Sequence, residues 1–465
     1  MNLPNYFLAD LPPEATLGPA MISEACRALK RNRERYLAER STPHLATALG
    51  VIGQSWLAPD SKFRQFALQK GSAAAGFSEG TLSRGLDAFF RELTRENMLL
   101  LVEQEMAHTG RFDKMVADET EQKTNRASIV SGPAMLVHIA AGNLPSSVFS
   151  SVVFGLLTRS AQFVKCASGT SFLVRLFAHS IYEADPKLGA CLEIAEWKGG
   201  NPALETTLYH EADCVTATGT DETLAAIRRE VRAPTRLLGY GHRVSFAYVA
   251  AAVLKGLNAR KVAARAAMDV AAWNQLGCLS PHVIYVEQGG DFSPEQFGQL
   301  LSEELEKLEK TEPRGEIAVE AAAAIASRRS MLQTRAAFAR SGQAPQDYPE
   351  TNLWTSKDST AWTVVYESDP QFQVSCLNRF VYVKPVVGLE SALRAAESIR
   401  TTVSTVGIAA GEEEAQDLAT QLARWGVTRV CPLGRMQQPP LLWRHDGHPA
   451  LRDLVRWTDW ELSNL

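Results

Sequence analysis

Between Ala134 and Leu238 four short, largely apolar runs alternate with polar turns and helical stretches. The runs are Met135–Ile139, Ala161–Lys165, Ala212–Thr218 and Arg236–Leu238. Short apolar runs alternating with helices predict buried strands of a parallel sheet, joined by right-handed crossovers. A helix is expected from Ser147 to Thr158, and two more after Lys165, split near Asp185-Pro186. Another opens at Thr220, placed to cap it, and runs to Arg232. Ligands on such sheets gather beyond the carboxyl ends of the strands. Two polar turns lie there, Ala141–Pro145 and Thr218–Asp221, each before a helix N-terminus able to hold phosphate. No GxGxxG is present, so an ordinary Rossmann dinucleotide site is not indicated.

Gly239–Ser245 reads as a crossing into a second α/β unit that begins with Phe246–Leu254. In it a helical run from Lys261 to Asn274 ends at Gly277-Cys278, and a strand, His282–Glu287, follows at once. Long helices are expected at Pro294–Lys310 and Glu316–Ala339, then a polar loop over 341–360. Strands Trp362–Tyr366 and Phe380–Val386, a helix Leu389–Arg400, a strand Ser404–Ile408 and a helix Gly411–Trp425 complete it. The first 130 residues read as helical, with runs Met21–Arg40 and Glu79–Met106. The tail from Arg435 is rich in Trp, Arg, His and Pro.

The chain has 465 residues, 45% hydrophobic and 22% charged, with net charge -4. That balance suits a soluble globular protein with ample core and gives no nucleic-acid surface. No apolar stretch reaches the ~20 residues of a membrane span, and the first residues lack a signal-peptide pattern. The seven cysteines are scattered, with no CxxC. Neither a disulfide framework nor a metal site is expected, and a cytoplasmic location fits.

The Cys278 turn has two readings. Lone cysteines are ordinarily small buried hydrophobes. A thiol beside glycine at a tight helix-to-strand turn can instead be exposed and nucleophilic, since the reactive thiolate needs access.

Six stretches in order resemble the aldehyde dehydrogenase superfamily, and more closely the LuxC type of fatty acyl-CoA reductase. They are His138–Pro145, Phe163–Lys165, Ala212–Gly219, Gly241–Phe246, Asn274–Pro281 and Trp443–Gly447. The resemblance implies an aldehyde dehydrogenase-like α/β fold: two Rossmann-like, three-layer α/β/α domains with a helical N-terminal region. The domains would be 1–130, helical and packed on the cofactor domain; 131–240, dinucleotide-binding; 241–432, carrying the nucleophile; and 433–465, a tail for docking or oligomerisation.

By the same resemblance Cys278 takes the place of the catalytic thiol. Asn143 takes that of the asparagine which, with the cysteine N–H, holds the oxyanion; read locally, Asn143 is a turn residue before Pro145. Lys165 would contact the adenosine ribose, although a solvated lysine is the ordinary case. No carboxylate follows Lys165 through Ser168, which favours NADPH. Thr218, Gly219 and Thr220 would lie beside the pyrophosphate, or simply cap a helix.

Oxidising members carry a glutamate in the stretch matching Gly239–Ser245, where it activates water. Here that stretch has no acid, which favours reduction of a thioester over aldehyde oxidation. His242 as acid or base and Arg243 as a phosphate contact stand beside a plain crossing turn held by polar side chains. His138, on an apolar strand, reads as a core histidine. Trp273 and Leu276 would suit an acyl tail. The implied activity is NADPH-dependent reduction of a fatty acyl-CoA or acyl-protein thioester to aldehyde through an acyl-cysteine. Its rivals are a CoA-acylating aldehyde dehydrogenase and a non-redox acyl carrier or transferase partner. An acyl-carrier protein or acyl-protein synthetase is an implied partner, and a homo-oligomer an implied assembly.

Overall fold

The four apolar runs between 134 and 238 are strands, and a fifth that sequence reasoning missed joins them. The computed structural model describes residues 3–12, 14–142, 144–346 and 348–462. The chain forms two units. One comprises Met1–Ala75, Leu86–Gly241 and Pro440–Leu465, the other Gly76–Gly85 and His242–Pro439.

In the first unit, β1 is Arg126–Ser131, β2 Met135–Ile139, β3 Ala161–Cys166, β4 Leu192–Glu196, β5 Cys214–Thr218 and β6 Arg236–Tyr240. Strands β2 to β6 form a parallel sheet in the order β4-β3-β2-β5-β6. The chain leaves β2 towards β3 and β4, then crosses back to place β5 on the other side of β2. That reversal makes the carboxyl ends of β2 and β5 the switch point at which parallel sheets hold ligands. On one face, helix Pro19–Tyr36 buries Ile22, Cys26 and Leu29 with Leu204, Leu208 and Ile227 of two further helices. On the other lie helices Pro145–Leu157 and Phe172–Ala184, whose Phe149 and Phe177 are 4.7 Å apart. Trp56 stacks on Phe90 at 4.7 Å beside them. The expected helix Glu79–Met106 is two, Glu79–Glu92 and Arg95–Met106, because Thr94 turns extended and caps the second by accepting from the Asn97 N–H. Strand β1 pairs antiparallel with Arg456–Glu461. The tail therefore closes back on this unit, where Glu105 accepts the backbone N–H groups of Ala450, Leu451 and Arg452.

In the second unit the strands are β7 Val244–Val249, β8 Pro281–Glu287, β9 Thr351–Thr355, β10 Thr363–Glu367, β11 Phe380–Val386, β12 Val403–Ala409 and β13 Arg429–Pro432; the tail strand Arg456–Glu461 is β14. Their order is β13-β12-β7-β8-β11-β10-β9, with only β9 antiparallel to its neighbour. Helices Gly256–Ala271 and Pro294–Thr311 cover one face, and Val319–Arg340 and Glu412–Trp425 lie on the other. Both sheets are thus the middle of three layers, as the alternating pattern required. Among the described residues no helix is long and apolar enough to cross a membrane.

His138 is the core residue its apolar strand suggested. Gln162 Nε2 donates to the Val152 carbonyl at 3.1 Å, so its Oε1 faces His138 Nε2 at 2.9 Å and must accept from it. His138 Nδ1 is then the acceptor for the Thr216 hydroxyl at 2.6 Å. Gly155 lets the helix above come this close, since a Cβ there would lie 2.3 Å from the Gln162 side chain. Burial holds the imidazole neutral, with its pKa lowered to about 4. The unfolded chain takes up the proton near 6.5, so this contribution to stability is full above that pH and drains as pH falls towards 4. The total is roughly 3 kcal/mol. Urea unfolding at pH 7 and pH 5 should show the loss, and His138→Gln should shrink it. An unchanged pH response in that variant would refute the assignment.

Candidate active site

Helix Gly256–Ala271 stops before its periodicity does, because the next residues turn left-handed. Trp273, Asn274 and Gln275 have φ of 49°, 52° and 63°. Side chains with a Cβ resist this conformation by about 1–2 kcal/mol each, so something must hold them. A second left-handed run, Leu377, Asn378 and Arg379 with φ of 58°, 54° and 64°, supplies it. The buried Gln275 amide exchanges both bonds with Phe380: Nε2 donates to its carbonyl and Oε1 accepts its N–H, each at 2.8 Å. Nε2 also donates to the Pro281 carbonyl at 2.8 Å. Asn274 donates to the Arg314 carbonyl at 2.9 Å and accepts from Arg379 at 3.2 Å. Trp273, 4% exposed, packs on Gly85, where a Cβ would lie 2.0 Å from the indole, and meets Phe77 edge-on. The expectation that Trp273 suits an acyl tail is therefore corrected: it is packed underneath the turn. Leu276 is half-buried.

On this base Cys278 is exposed. Its carbonyl accepts from Ser245 Oγ at 2.7 Å, and that oxygen in turn accepts the Thr405 N–H at 3.1 Å. The Ser280 N–H closes the turn on Gly277 at 3.0 Å, and Gln437 holds the Ser280 hydroxyl at 2.6 Å. The thiol-bearing turn thus stands at the amino ends of β7 and β8, tied to β12. The other cysteines lie deeper. Burial pushes the thiols of Cys26, Cys166, Cys191 and Cys214 up to about 12 and that of Cys431 up to about 11, and also raises half-buried Cys376.

Sequence reasoning missed His282, four residues on. Its Nδ1 accepts the Ser375 N–H at 3.1 Å, which leaves the proton on Nε2. Burial first, and His242 second, lower its pKa to about 4. His242 is exposed, and Arg243 donates to the Thr401 carbonyl at 3.2 Å, so Arg243 braces the crossing segment. A lone His after Pro281 carried no sequence signal of this pairing, because Ser375 lies far along the chain.

In the first unit, the switch-point turns follow β2 and β5. Asn143 lies outside the described residues. Lys165, on β3, is only 5% exposed, not solvated. Its ammonium lies 5.6 Å from the centre of the Trp197 ring and makes no ion pair with a described residue, and burial lowers its pKa. The Trp197 Nε1–H is buried without an acceptor among the described residues. Ser168 is exposed in the turn after β3. No acid follows Lys165 in sequence, yet β4 brings one to this turn: Glu196 accepts the N–H groups of Gly169 at 2.6 Å and Ser171 at 3.1 Å. Thr220 caps helix Asp221–Glu230 by accepting the Thr223 N–H, with Thr218 and Gly219 half-buried before it. A Cβ on Gly219 would lie 3.2 Å from Thr223. An ammonium without a carboxylate partner, an indole N–H without an acceptor and a capped helix start at the switch point suit a ribose-phosphate ligand. The residues present therefore fit a dinucleotide. Among the described residues, no group of three or more His, Cys, Asp or Glu is placed to hold a metal.

Residues 38–457 match the family model described as acyl-CoA reductase (LuxC). The chain is 25% identical over 332 residues to the long-chain acyl-protein thioester reductase of Aliivibrio fischeri, an alignment covering 70% of this chain and 63% of that protein. It is 24% identical over 330 residues to the enzyme of the same name from Vibrio harveyi, covering 70% and 64%. The chain thus spans less than two thirds of the length of these relatives. Among solved structures it resembles a putative aldehyde dehydrogenase from Anabaena variabilis, with TM-score 0.68 and 15% identity over 98% of this chain and 95% of that one. It also resembles a mutant of aldehyde dehydrogenase C from Pseudomonas syringae, complexed with NAD+ and octanal, with TM-score 0.69 and 12% identity over 97% and 91%. At these identities the likeness shows the fold.

Limiting iodoacetamide at pH 8 should place one label, on Cys278, detectable by peptide mass spectrometry. Labelling spread evenly over the seven thiols would contradict the burial pattern. Gln275→Ala leaves the Phe380 N–H and two carbonyls unpaired in the interior, at about 1–3 kcal/mol for a stranded group. Its melting temperature should fall and its Cys278 labelling rate should change; wild-type values for both would remove Gln275 as the support.

Proposed function

Because the chain belongs to the acyl-CoA reductase (LuxC) family and has the aldehyde dehydrogenase fold, we propose that it reduces a fatty acyl thioester to the aldehyde through an acyl-cysteine at Cys278. The observation that carries this reading is the exposed thiol on a rigidly held turn, in a chain whose other cysteines are more deeply placed. The Cys278 thiolate attacks the thioester carbonyl carbon, and the bond to the leaving sulfur breaks. The leaving thiolate takes a proton, and the acyl group stays on Cys278. Nicotinamide dinucleotide, when bound, supplies the hydride that reduces this acyl group. Breaking the carbon–sulfur bond to Cys278 then frees the aldehyde and restores the thiol.

The Cys278 N–H and, on family grounds, the Asn143 amide are assigned to the oxyanion; one such donor is worth about 3–4 kcal/mol. Lys165 and the turn Thr218-Gly219-Thr220 are assigned to the dinucleotide, with Ser168 at its edge. NADPH is proposed as the preferred form. Two observations support this form: Glu196 is engaged with two backbone amides, and the buried Lys165 ammonium has no ion-pair partner among the described residues. The absence of any acid from Gly239–Ser245 removes the general base that would hydrolyse the acyl-enzyme. His242 is proposed as a proton donor to the leaving thiolate and Arg243 as a positioning residue. We assign dinucleotide binding to 131–240, the nucleophile to 241–432 and docking or assembly to 433–465. The donor is an acyl-CoA or an acyl group on a carrier protein or synthetase.

Oxidation of NADPH followed at 340 nm with acyl-CoA substrates from C4 to C16 should produce aldehyde in the wild type. Cys278→Ala should abolish it, and Asn143→Ala should lower kcat by roughly 10²–10³. Lys165→Gln should raise KM for NADPH more than for NADH. Acyl transfer to Cys278 without consumption of either nucleotide would replace the reductase reading with that of an acyl carrier.

A further inference from the structure

At the amino-terminal ends of the first unit's strands, opposite the switch-point turns, lies a cavity of about 700 Å³. Four arginines from four segments converge on it: Arg33 from the last turn of helix Pro19–Tyr36, Arg232 after helix Asp221–Glu230, Arg236 opening β6, and Arg456 opening β14. Asp213 is the single acid in the lining, and its carboxylate accepts the Met135 N–H at 2.9 Å. The side chains are held but not consumed. Arg33 donates Nε to the Arg159 carbonyl at 2.7 Å and pairs with Glu34. Arg236 uses one nitrogen for the carbonyls of Asp453 and Val455, at 2.6 and 3.0 Å. Arg232 uses one for the His210 carbonyl at 3.2 Å. The Arg456 side chain makes no hydrogen bond or ion pair with a described residue.

Four like charges around one cavity repel each other when no anion lies between them. Guanidinium forks match phosphoryl oxygens two at a time. The volume lies within the range of small-molecule sites and far exceeds one phosphate. We infer that this cavity is a binding site for a small molecule carrying at least two phosphoryl groups, separate from the dinucleotide turns. The separation follows from the fold: the five residues of β2 span ~16 Å, with the cavity at one end and the switch-point turn at the other. A single ligand seated at both ends would have to cross the sheet edge.

The test is calorimetric titration of the full chain with pyrophosphate and with inorganic phosphate, with and without saturating NADPH. Pyrophosphate should bind at least tenfold more tightly than phosphate, and equally well with NADPH present. Arg232→Gln with Arg456→Gln, both exposed side chains, should weaken it at least tenfold and leave NADPH binding unchanged. If the double variant melts early, Arg232→Gln alone should still weaken binding several-fold. No binding, loss of binding on adding NADPH, or equal affinity in a folded variant would each overturn the proposal.

Discussion

Two left-handed runs locked to each other are the constraint beneath the thiol. Six non-glycine residues, 273–275 and 377–379, adopt backbone that each resists by about 1–3 kcal/mol. That sum is comparable to the net stability of a typical domain, and the buried side chains of Asn274, Gln275 and Arg379, with the packing of Trp273, oppose it. Gln275 ties its own run to Phe380 at the end of the other, and also reaches the start of β8. The turn that follows inherits this rigidity. A side chain carried on such a turn has little conformational entropy left to lose, which is where positioning contributes most to any reaction there.

The candidate residues of the two units lie at opposite ends of their own sheets. In the first, the turns after β2 and β5 lie at carboxyl ends, at the topological switch point where such sheets hold ligands. In the second, Cys278 stands at the amino end of β8, held by Ser245 at the start of β7. The carboxyl-end rule therefore locates the first group of residues and not the second. What locates the thiol is local: a helix that must stop, a glycine, and a strand beginning three residues after the cysteine.

Most of the architecture was legible because parallel strands buried on both faces are apolar at every position, as β2, β3, β7, β8 and β11 nearly are. The missed strands break that rule. β4 carries two glutamates, β9 is an antiparallel edge with polar ends, and β14 is exposed along most of its length. β1 was hidden in a stretch whose other elements are helical. Among site residues, Cys278 and the Thr220 cap could be read from their neighbours. Glu196 and Ser375 could not, because each meets its partner through a contact between residues far apart in the chain, Glu196 in the turn after β3 and Ser375 at the start of β8. Nor could the burial of Lys165 be read, since it depends on Trp197 from beyond the adjacent strand.

The pairing of β1 with β14 also sets an order of events during synthesis. The second unit is inserted within the first, so the partner of β1 emerges from the ribosome only after all of β7 to β13. Until then β1 presents an open edge of unpaired N–H and C=O groups, the kind of edge on which chains pair wrongly. The anchor for the returning tail, Glu105, is already in place and waits for the N–H groups of 450–452. The early unit is thus sealed last, and a nascent chain stalled between residues 440 and 456 would hold a nearly complete inserted unit beside an unfinished strand pair.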